Sequence, residues 1–433
     1  MSAGIFTSIT TSLKNTYTNK IVEPMVNESA PFRKWLSKNT PAGGFVSGGA
    51  GILKFAGNLA PEQNVGQLLD SGTLPPTKDR SDVQFTLTPT IFAAAVELGW
   101  LTRSAASSDK GAFNGGELRR RTNDGISALG KFIESTYVGT HGTGRRARVS
   151  TDGTSTFVAA LPEGTRLLRR NMYITARTTD GGATVRDTVD LRLITAINHS
   201  TRTVTYDGAD QTLVAGDHIH VVNEAAQSFV TNPFANGLRG LVDDATYAAS
   251  IHGLARVTYP ELNATVSSNG GTLRSLSEGM MIQLVHEILA RTGKPITAIW
   301  APEGQIQKYV EFVAPDRRNV RTGKSDTGNM ATGYREEDLL FYAPGIAVPI
   351  KTSFDMVARE MYFLNEDSFF HYVAKELGWQ EGAGKDLLQL IPATAGYKAG
   401  YLGYITALEN IGNDFPMSNG VMRDLKDPSV GDS

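Results

Sequence analysis

The ten residues GTHGTGRRAR, from Gly139 to Arg148, combine three glycines with three arginines. Such a composition is typical of loops that bind phosphate. A nucleotide-binding P-loop, however, follows a strand, precedes a helix and ends in Gly-Lys-Ser or Gly-Lys-Thr. The dinucleotide-binding glycine pattern has the same strand–turn–helix requirement. Here the sequence predicts a helix before the segment and β-structure after it, and the last glycine precedes two arginines. The segment therefore does not predict a phosphate site.

A second candidate for chemistry is the stretch DHIHVV, which contains Asp217, His218 and His220. Alternate residues of a strand share a face, so the two imidazoles could approach one metal ion. No third ligand is identifiable from the spacing. The alternative is a solvent-facing side of the strand, opposite Ile219 and Val221, and the sequence favours this alternative. We predict no metal site.

Two basic clusters lie at residues 119–121 and 145–148. Neither contains the interleaved aromatic side chains on which bases stack, so we interpret both as solvated faces or salt-bridged interfaces. The sequence also contains neither the Gly-x-Ser-x-Gly elbow of serine hydrolases nor the His-Glu-x-x-His motif of metalloproteases. We therefore predict no enzymatic activity and no cofactor.

The composition limits the class of protein further. The chain has 433 residues, no cysteine, 42 basic and 44 acidic side chains, and a net charge of −2. Disulfides and thiolate metal sites are excluded, and the charge balance is not that of a protein that binds nucleic acid tightly. No run of about 18 apolar residues predicts a membrane span.

The elements that would position these residues follow from apolar periodicity. Alternating Val83, Phe85 and Leu87 predict a strand, which together with the glycine-rich chain before it suggests a long two-stranded ribbon. A long helix follows and ends at Gly139, with an apolar stripe of Leu118, Ile126, Leu129, Ile133 and Tyr137. From 149 to 222, short apolar runs separated by glycine-containing turns predict an all-β module of hairpins. Beyond it, helices and strands alternate, and we expect the polar end after Leu425 to be frayed.

This order of elements resembles that of tailed-bacteriophage major capsid proteins of the Hong Kong 97-like fold. The resemblance covers nearly the whole chain as architecture and loose motif. The residues that carry it are FTLTPTIFAAAVELGWLTRSA with the long helix after it, ITAIWAPEGQIQKYVEFVAPDRRN, LLFYAPGIAVPIKTSF and ALENIGNDFPMSNGVMRDL. In simpler relatives the turn after the long helix is soon followed by a Gly-Leu segment. Here the matching GLRGLVDDA begins at Gly237, which indicates that the β module is inserted at the joint.

The resemblance implies an α+β fold with an inserted all-β domain and five parts. These are an N-terminal arm (1–42), an extended β-hairpin loop (43–100), a peripheral domain with a spine helix (101–148), the inserted domain (149–223), and the axial domain with the remainder of the peripheral domain (224–433). The resemblance then explains the glycine-rich segment between the long helix and the β module. Gly139, Gly142 and Gly144 would form the hinge at which the backbone leaves the spine helix and enters the insertion.

The resemblance also implies contacts between subunits, because we expect the arm and the ribbon to be unable to bury their apolar side chains alone. The predicted inter-subunit contacts are Phe32, Trp35, Leu36, Lys54, Phe85 and Leu87. On this interpretation, Phe32→Ala combined with Trp35→Ala should leave the protein soluble and folded but impair assembly. Some relatives form a Lys–Asn crosslink. Lys54 has a suitable place for it, but no matching asparagine or assisting acid is identifiable, and we leave the crosslink unassigned.

The function implied is that of a major capsid protein, which self-assembles into hexamers and pentamers and forms the icosahedral head of a double-stranded DNA phage. Implied partners are a separate scaffolding protein, a portal, a decoration protein and weakly contacted packaged DNA, with assembly in the bacterial cytoplasm and no membrane. Three alternatives remain open. They are an encapsulin-type compartment shell, a carbohydrate-binding or carbohydrate-processing protein that uses the β module, and a tail or baseplate component.

Overall fold

The structure of the chain is a computed structural model. It describes residues 30–36, 38, 40–41, 43–47, 51–60, 81–99, 116–182, 184–186, 191–208, 213–221, 234–317, 339–343, 345–380, 389–392 and 397–432. Most of the predicted N-terminal arm, the chain between the two long strands of the ribbon, and the polar loop after residue 317 lie outside the described residues.

The first described elements are a short helix and a β-ribbon. Helix α1 spans Pro31–Trp35. Strands β1 (Phe45–Ser47), β2 (Ile52–Ala60) and β3 (Ser81–Leu87) form an antiparallel sheet in that order. The predicted strand with alternating apolar residues is β3, and Phe85 lies opposite Phe55 of β2.

The long helix packs against a four-stranded sheet that contains the longest strand of the described chain. Helix α2 spans Gly116–Gly139, and Ile126, Leu129, Ile133 and Tyr137 of the predicted stripe are buried. The side chain of Leu118 lies outside the described residues. The sheet contains β4 (Thr90–Gly99), β18 (Phe369–Trp379), β19 (Gln389–Pro392) and β20 (Tyr397–Asn413), and β20 pairs with the other three strands.

A closed six-stranded barrel follows α2 directly. Its strands are β5 (Arg145–Gly153), β6 (Thr156–Ala159), β7 (Tyr173–Arg177), β8 (Arg192–Asn198), β9 (Thr203–Tyr206) and β10 (His218–Val221). They close in the order β10-β5-β6-β9-β8-β7 around an apolar core that includes Phe157, Ile174 and Ile219. The predicted all-β insertion is therefore present. The boundaries of the five parts stay a prediction.

After the barrel come a four-residue helix and a mixed six-stranded sheet. Helix α3 spans Leu238–Leu241, and β11 (Ser250–Ile251) pairs with β12 (Leu254–Ala255). The six-stranded sheet has the order β13-β21-β17-β14-β16-β15. Its strands are β13 (Thr265–Ser267), β14 (Ala298–Trp300), β15 (Leu340–Ala343), β16 (Ile346–Lys351), β17 (Met361–Leu364) and β21 (Gly420–Met422), and helices α4 (Glu278–Thr292) and α5 (Glu303–Arg317) accompany it.

The polar end of the chain is ordered, which corrects the expectation of a frayed tail. Strand β21 lies inside the six-stranded sheet between β13 and β17. Beyond it, the fully buried Asp427 caps a short 3-10 helix by accepting from the amide of Ser429. Asp432 forms a two-point ion pair with Arg359 at 2.7 Å. These polar contacts fix a segment that has no apolar periodicity.

Apolar side chains of the arm helix, the ribbon, α2 and β20 share one core cluster. A second cluster lies between α4, α5 and the six-stranded sheet. Within the part of the chain that the structure describes, no helix combines the length and apolar character needed to span a membrane.

Candidate functional site: contact segments and the helix–barrel joint

The arm helix α1 packs on its own chain through aromatic side chains. The Phe32 ring lies 5.1 Å from that of Trp300, edge to face, and the Trp35 ring lies 5.7 Å from it. Phe32 is fully buried and Leu36 is 4% exposed. Pro31 opens the helix at a position where its missing amide hydrogen costs nothing. The expectation that Phe32 and Leu36 find burial only on neighbouring copies is therefore wrong. Trp35 remains partly exposed, and the predicted contacts of all three residues with other subunits stay a prediction.

Two buried carboxylates hold the same helix. The side chain of Glu134 on α2 accepts hydrogen bonds from the backbone amides of Phe32 and Arg33, at 3.0 and 3.2 Å, and from Oγ of Ser353 at 2.6 Å. Burial raises the pKa of Glu134 to about 7, although these three hydrogen bonds oppose the shift. Desolvation of the charged form thus outweighs its hydrogen bonds.

Glu409 on β20 is the second carboxylate of this arm clamp, which consists of Glu134, Glu409 and Arg33. Arg33 donates to both oxygens of Glu409, and the hydroxyl of Tyr137 donates to one of them at 3.1 Å. Burial alone would raise the pKa of Glu409, but His371, 3.3 Å away, and Arg33 hold it well below its usual range. Just below pH 7, Glu134 is therefore mostly protonated, whereas Glu409 is charged.

The ribbon also packs on its own chain. Phe55 and Phe85 stack across strands with ring centres 5.0 Å apart, and the Phe55 ring meets that of Phe370 edge to face at 5.4 Å. Leu87 is 2% exposed. The alternation that predicted a strand also gives it one buried face. The premise that Phe85 and Leu87 need a neighbour for burial is thus corrected, because both belong to the central core cluster of their own chain, where Phe85 lies against Phe55 and His252.

The edge strand β1 of the ribbon is open. Phe45 and Val46 on β1 are 53% and 57% exposed. Lys54 on β2 is partly exposed, and its role in contacts between subunits stays a prediction. On the described part of the ribbon, Phe45 and Val46 are therefore large apolar side chains available to a neighbour, and the sequence interpretation did not single them out.

The glycine-rich segment lies between α2 and the barrel, as its position in the sequence indicates. Helix α2 ends at Gly139 and β5 begins at Arg145. Gly142 and Gly144 have φ angles of +95° and +75°, a region that side chains disfavour. The segment connects a helix to a barrel. Its action as a hinge stays a prediction.

The chain returns from the barrel beside the point at which it left. A Cβ atom at Gly237 would lie 2.0 Å from the carbonyl oxygen of Thr140, and one at Gly240 would lie 2.5 Å from that of His141. Only glycine permits this backbone approach. The adjacent exit and return are the geometry that an inserted domain requires, and they explain the glycines of the GLRGL segment.

A row of alternating charges crosses the same joint. Arg145 on β5 binds Asp180 at 2.6 Å and Glu163 at 2.7 Å. Arg239 on α3 binds the same oxygen of Glu163 at 2.7 Å and Glu360 at 2.9 Å. The two arginines hold the pKa of Glu163 at about 2, against the opposing effect of burial. This charge ladder, Asp180–Arg145–Glu163–Arg239–Glu360, joins the barrel to the central part of the chain.

The basic cluster at 145–148 is thus largely a buried interface. Arg146, 3% exposed, donates to the hydroxyls of Ser135 and Thr136 on α2 and lies over the Phe132 ring. Of the other cluster, Arg121 donates to the carbonyl oxygen of Glu97, whereas the side chains at 119 and 120 lie outside the described residues. The ion-pair partners of Arg145 were not identifiable from the sequence because they lie in turns.

The histidines of β10 face the joint rather than solvent, which corrects the favoured interpretation. His218 Nδ1 and His220 Nε2 each lie 3.9 Å from an oxygen of Asp180, and His141 Nε2 lies 2.6 Å from it. Burial lowers the pKa of all three imidazoles.

Asp217 does not join this histidine group, since its two carboxylate oxygens accept hydrogen bonds from Nε and Nη2 of Arg186. Across the described ranges, no set of three or more histidine, aspartate or glutamate side chains is arranged to hold a metal ion. The three imidazoles lie around the carboxylate of Asp180, which already accepts a hydrogen bond from the Arg145 guanidinium.

Comparison with known proteins shows which known fold the chain resembles. No protein-family model matches the sequence, and no curated protein matches it. The chain is similar to a chain of the cyanophage A-1(L) capsid asymmetric unit, with a TM-score of 0.52 and 13% identity over 92% of this chain and 93% of that chain. A chain of the native GTA particle capsid has a TM-score of 0.43 and 11% identity, over 91% and 90% of the two chains. The likeness to the cyanophage chain confirms the predicted Hong Kong 97-like fold.

Proposed function

We propose that this protein is the major capsid protein of a tailed phage, a subunit that assembles with copies of itself into a closed shell. The observation that carries the proposal is the likeness to the cyanophage A-1(L) capsid chain, which extends over 92% of this chain and 93% of that one. A likeness that leaves almost no part of either chain unmatched favours a subunit used in the same kind of assembly.

Exposed apolar side chains support self-assembly. Phe45 and Val46 on the ribbon, Ile91 on β4 and Tyr342 on β15 are each more than half exposed. Scattered apolar residues are normal on a surface, but two adjacent ones on a three-residue strand provide a contact for another chain. In a shell each subunit contacts several neighbours, so individually weak contacts suffice, and closed symmetry fixes the size of the product.

We further propose that the shell is the head that encloses the double-stranded DNA genome, built from hexamers and pentamers. The net charge of −2 suits a wall along which packaged DNA slides without tight binding. A scaffolding protein, a portal and a decoration protein would be its partners. Assembly would occur in the cytoplasm of the bacterial host, and the protein would have no enzymatic activity.

The test is expression of the full-length chain, alone and together with its neighbouring genes, followed by sedimentation and negative-stain electron microscopy. We expect closed shells of uniform diameter. A monomer that persists under every condition would overturn the proposal, and rings or open tubes would indicate a tail or baseplate component. A monomer with measurable glycan affinity would support the carbohydrate-binding alternative.

A further inference from the structure

A cavity of about 480 Å³ lies beside the barrel, on the side that meets the central part of the chain. Arg166, Arg169 and Arg170 line it from the connection between β6 and β7. Residues 195–197 of β8 and the following His199 line the opposite side. Its volume is within the range of pockets that bind ligands or peptide side chains. Neither the arm clamp nor the charge ladder includes these arginines.

Cations outnumber anions around this cavity. Arg169 binds Asp355 at 2.6 Å. The positive charges of Arg146 and Lys131 also stabilise the ionised form of this buried carboxylate. Arg166 donates to the carbonyl oxygen of Met356 and the hydroxyl of Ser429. These are neutral acceptors, and its nearest carboxylate oxygen is 3.9 Å away on Glu303.

Arg170 is exposed at the rim of the cavity. Three guanidinium groups thus face two carboxylates, Asp355 and Glu303. An incoming carboxylate would gain charge-assisted hydrogen bonds, because the planar guanidinium can bind it at two points.

The rim is also apolar. Leu168, Ala196 and Ile197 contribute to the lining. Phe354, next in sequence to the Asp355 that binds Arg169, is 79% exposed. Aromatic side chains and arginines are both enriched at the centres of protein–protein interfaces.

We propose that this cavity, together with the exposed Phe354 that precedes Asp355 in the sequence, is the docking site for an acidic segment of a partner protein. Carboxylates of that segment bind Arg166 and Arg170, and an apolar side chain of it covers Phe354. Nucleic acid fits less well, because the cations surround one pocket that includes aliphatic side chains instead of following a backbone-length groove. The assignment depends on the pocket alone and holds whether or not the chain forms a shell.

The probe is a fluorescently labelled synthetic peptide of glutamate and leucine, and binding to the full-length chain is measured by fluorescence anisotropy. Arg170→Glu should weaken binding by about tenfold or more, because it reverses one charge at the rim. Phe354→Ala should weaken it by about fivefold through lost apolar contact. Higher salt should weaken the wild-type interaction, since the rim is exposed to solvent.

Matched controls separate this site from general charge attraction. Arg148→Glu reverses an exposed charge elsewhere on the barrel, and Val257→Ala truncates another exposed apolar side chain, 87% exposed. Both should bind the peptide as the wild type does. All four substitutions lie on the surface, so circular dichroism should show unchanged folding.

Three results would overturn the assignment. The first is no peptide binding, and the second is equal weakening by Arg148→Glu and Arg170→Glu. The third is displacement of the peptide by inorganic phosphate or a short DNA duplex at lower concentration than by unlabelled peptide, which would make the pocket a phosphate site. A change of oligomeric state in Arg170→Glu, with peptide binding intact, would assign the pocket to a second copy of the chain.

Discussion

Arg33 and Glu409, 376 residues apart in the sequence, form a two-point ion pair with N–O distances of 2.9 and 2.7 Å. Their side chains are 1% and 0% exposed. The pair joins the short arm helix to the longest strand of the central sheet. The arm is therefore an integral part of the monomer, and its loss would expose both a charge and an aromatic cluster.

Arg33→Ala should lower the free energy of unfolding by about 3 to 5 kcal/mol, because it leaves the buried Glu409 carboxylate without the guanidinium that donates to both of its oxygens. Urea denaturation measures this, provided that the slope with denaturant stays constant. Lys308→Ala is the control, since it removes an exposed ion pair to Glu311 and should change little. An unchanged free energy in Arg33→Ala would show that the arm does not contribute to the cooperative unit.

Glu134 should make stability fall as pH rises. Its pKa is about 7 in the folded protein against 4.5 as the reference for the unfolded chain. The folded state therefore holds a proton that the unfolded state loses between these values. This contribution is complete below pH 4.5 and is lost by pH 7, at a cost of about 3 kcal/mol.

Glu134→Gln removes this titration, so the difference in unfolding free energy between variant and wild type should shift in favour of the variant between pH 4.5 and 7. The lost acceptor of the Arg33 amide adds a constant offset, which does not affect the slope. Taking the difference cancels the other titrating groups. A difference that is flat across this range would contradict the assignment.

Gly237→Ala should prevent stable folding of the joint. Its Cβ would lie 2.0 Å from the carbonyl oxygen of Thr140, and two backbone segments cannot separate without opening the exit and return of the barrel. We expect a loss of several kcal/mol, of the order seen for overpacking or more. Gly279→Ala in α4 has open space around the new Cβ and should be neutral or slightly stabilising. Thermal unfolding of both variants distinguishes steric conflict from a general effect of glycine replacement.

The sequence predicted the helices and strands but not the parts of the chain against which they are buried. Periodicity located β3, the stripe on α2 and the strands of the barrel, because each of these depends on neighbours within a few residues. It did not show that Phe32 packs on Trp300 or that Asp427 anchors the end of the chain. Those contacts join residues far apart in the sequence, so local pattern contains no signal for them.

The joint shows the same division between local and distant information. The order of helix, glycines and strand identified the segment at 139–144 as a connection. The ion-pair partners of Arg145 lie 18 and 35 residues away, at Glu163 and Asp180 in turns. Turn residues have no periodicity that could place them. The GLRGL segment was matched by resemblance, but the role of Arg239 in the charge ladder required the structure.

If the proposed assembly is correct, Phe45→Ser with Val46→Ser should leave stability nearly unchanged and reduce shell formation, because both side chains are more than half exposed in the monomer. Phe32→Ala with Trp35→Ala should instead destabilise the monomer by about 3 kcal/mol or more, in contrast to the result expected from the sequence. Sedimentation and unfolding curves for both double variants separate assembly from folding. Normal shells from the Phe45 and Val46 variant would exclude this strand as a contact.

Glu163 should show the opposite pH dependence to Glu134, although both are buried glutamates. Arg239 and Arg145 hold the pKa of Glu163 at about 2, below its reference of 4.5. Its contribution, about 3 kcal/mol, is present above pH 4.5 and is lost as pH falls towards 2.

Relative to Glu163→Gln, the wild type should therefore lose stability in acid. Arg239→Leu should reduce that loss, because one of the two counter-charges is gone. Urea titrations between pH 2 and 4.5 measure the slope, and an equal slope in wild type and Glu163→Gln would show that the charge ladder does not stabilise the joint.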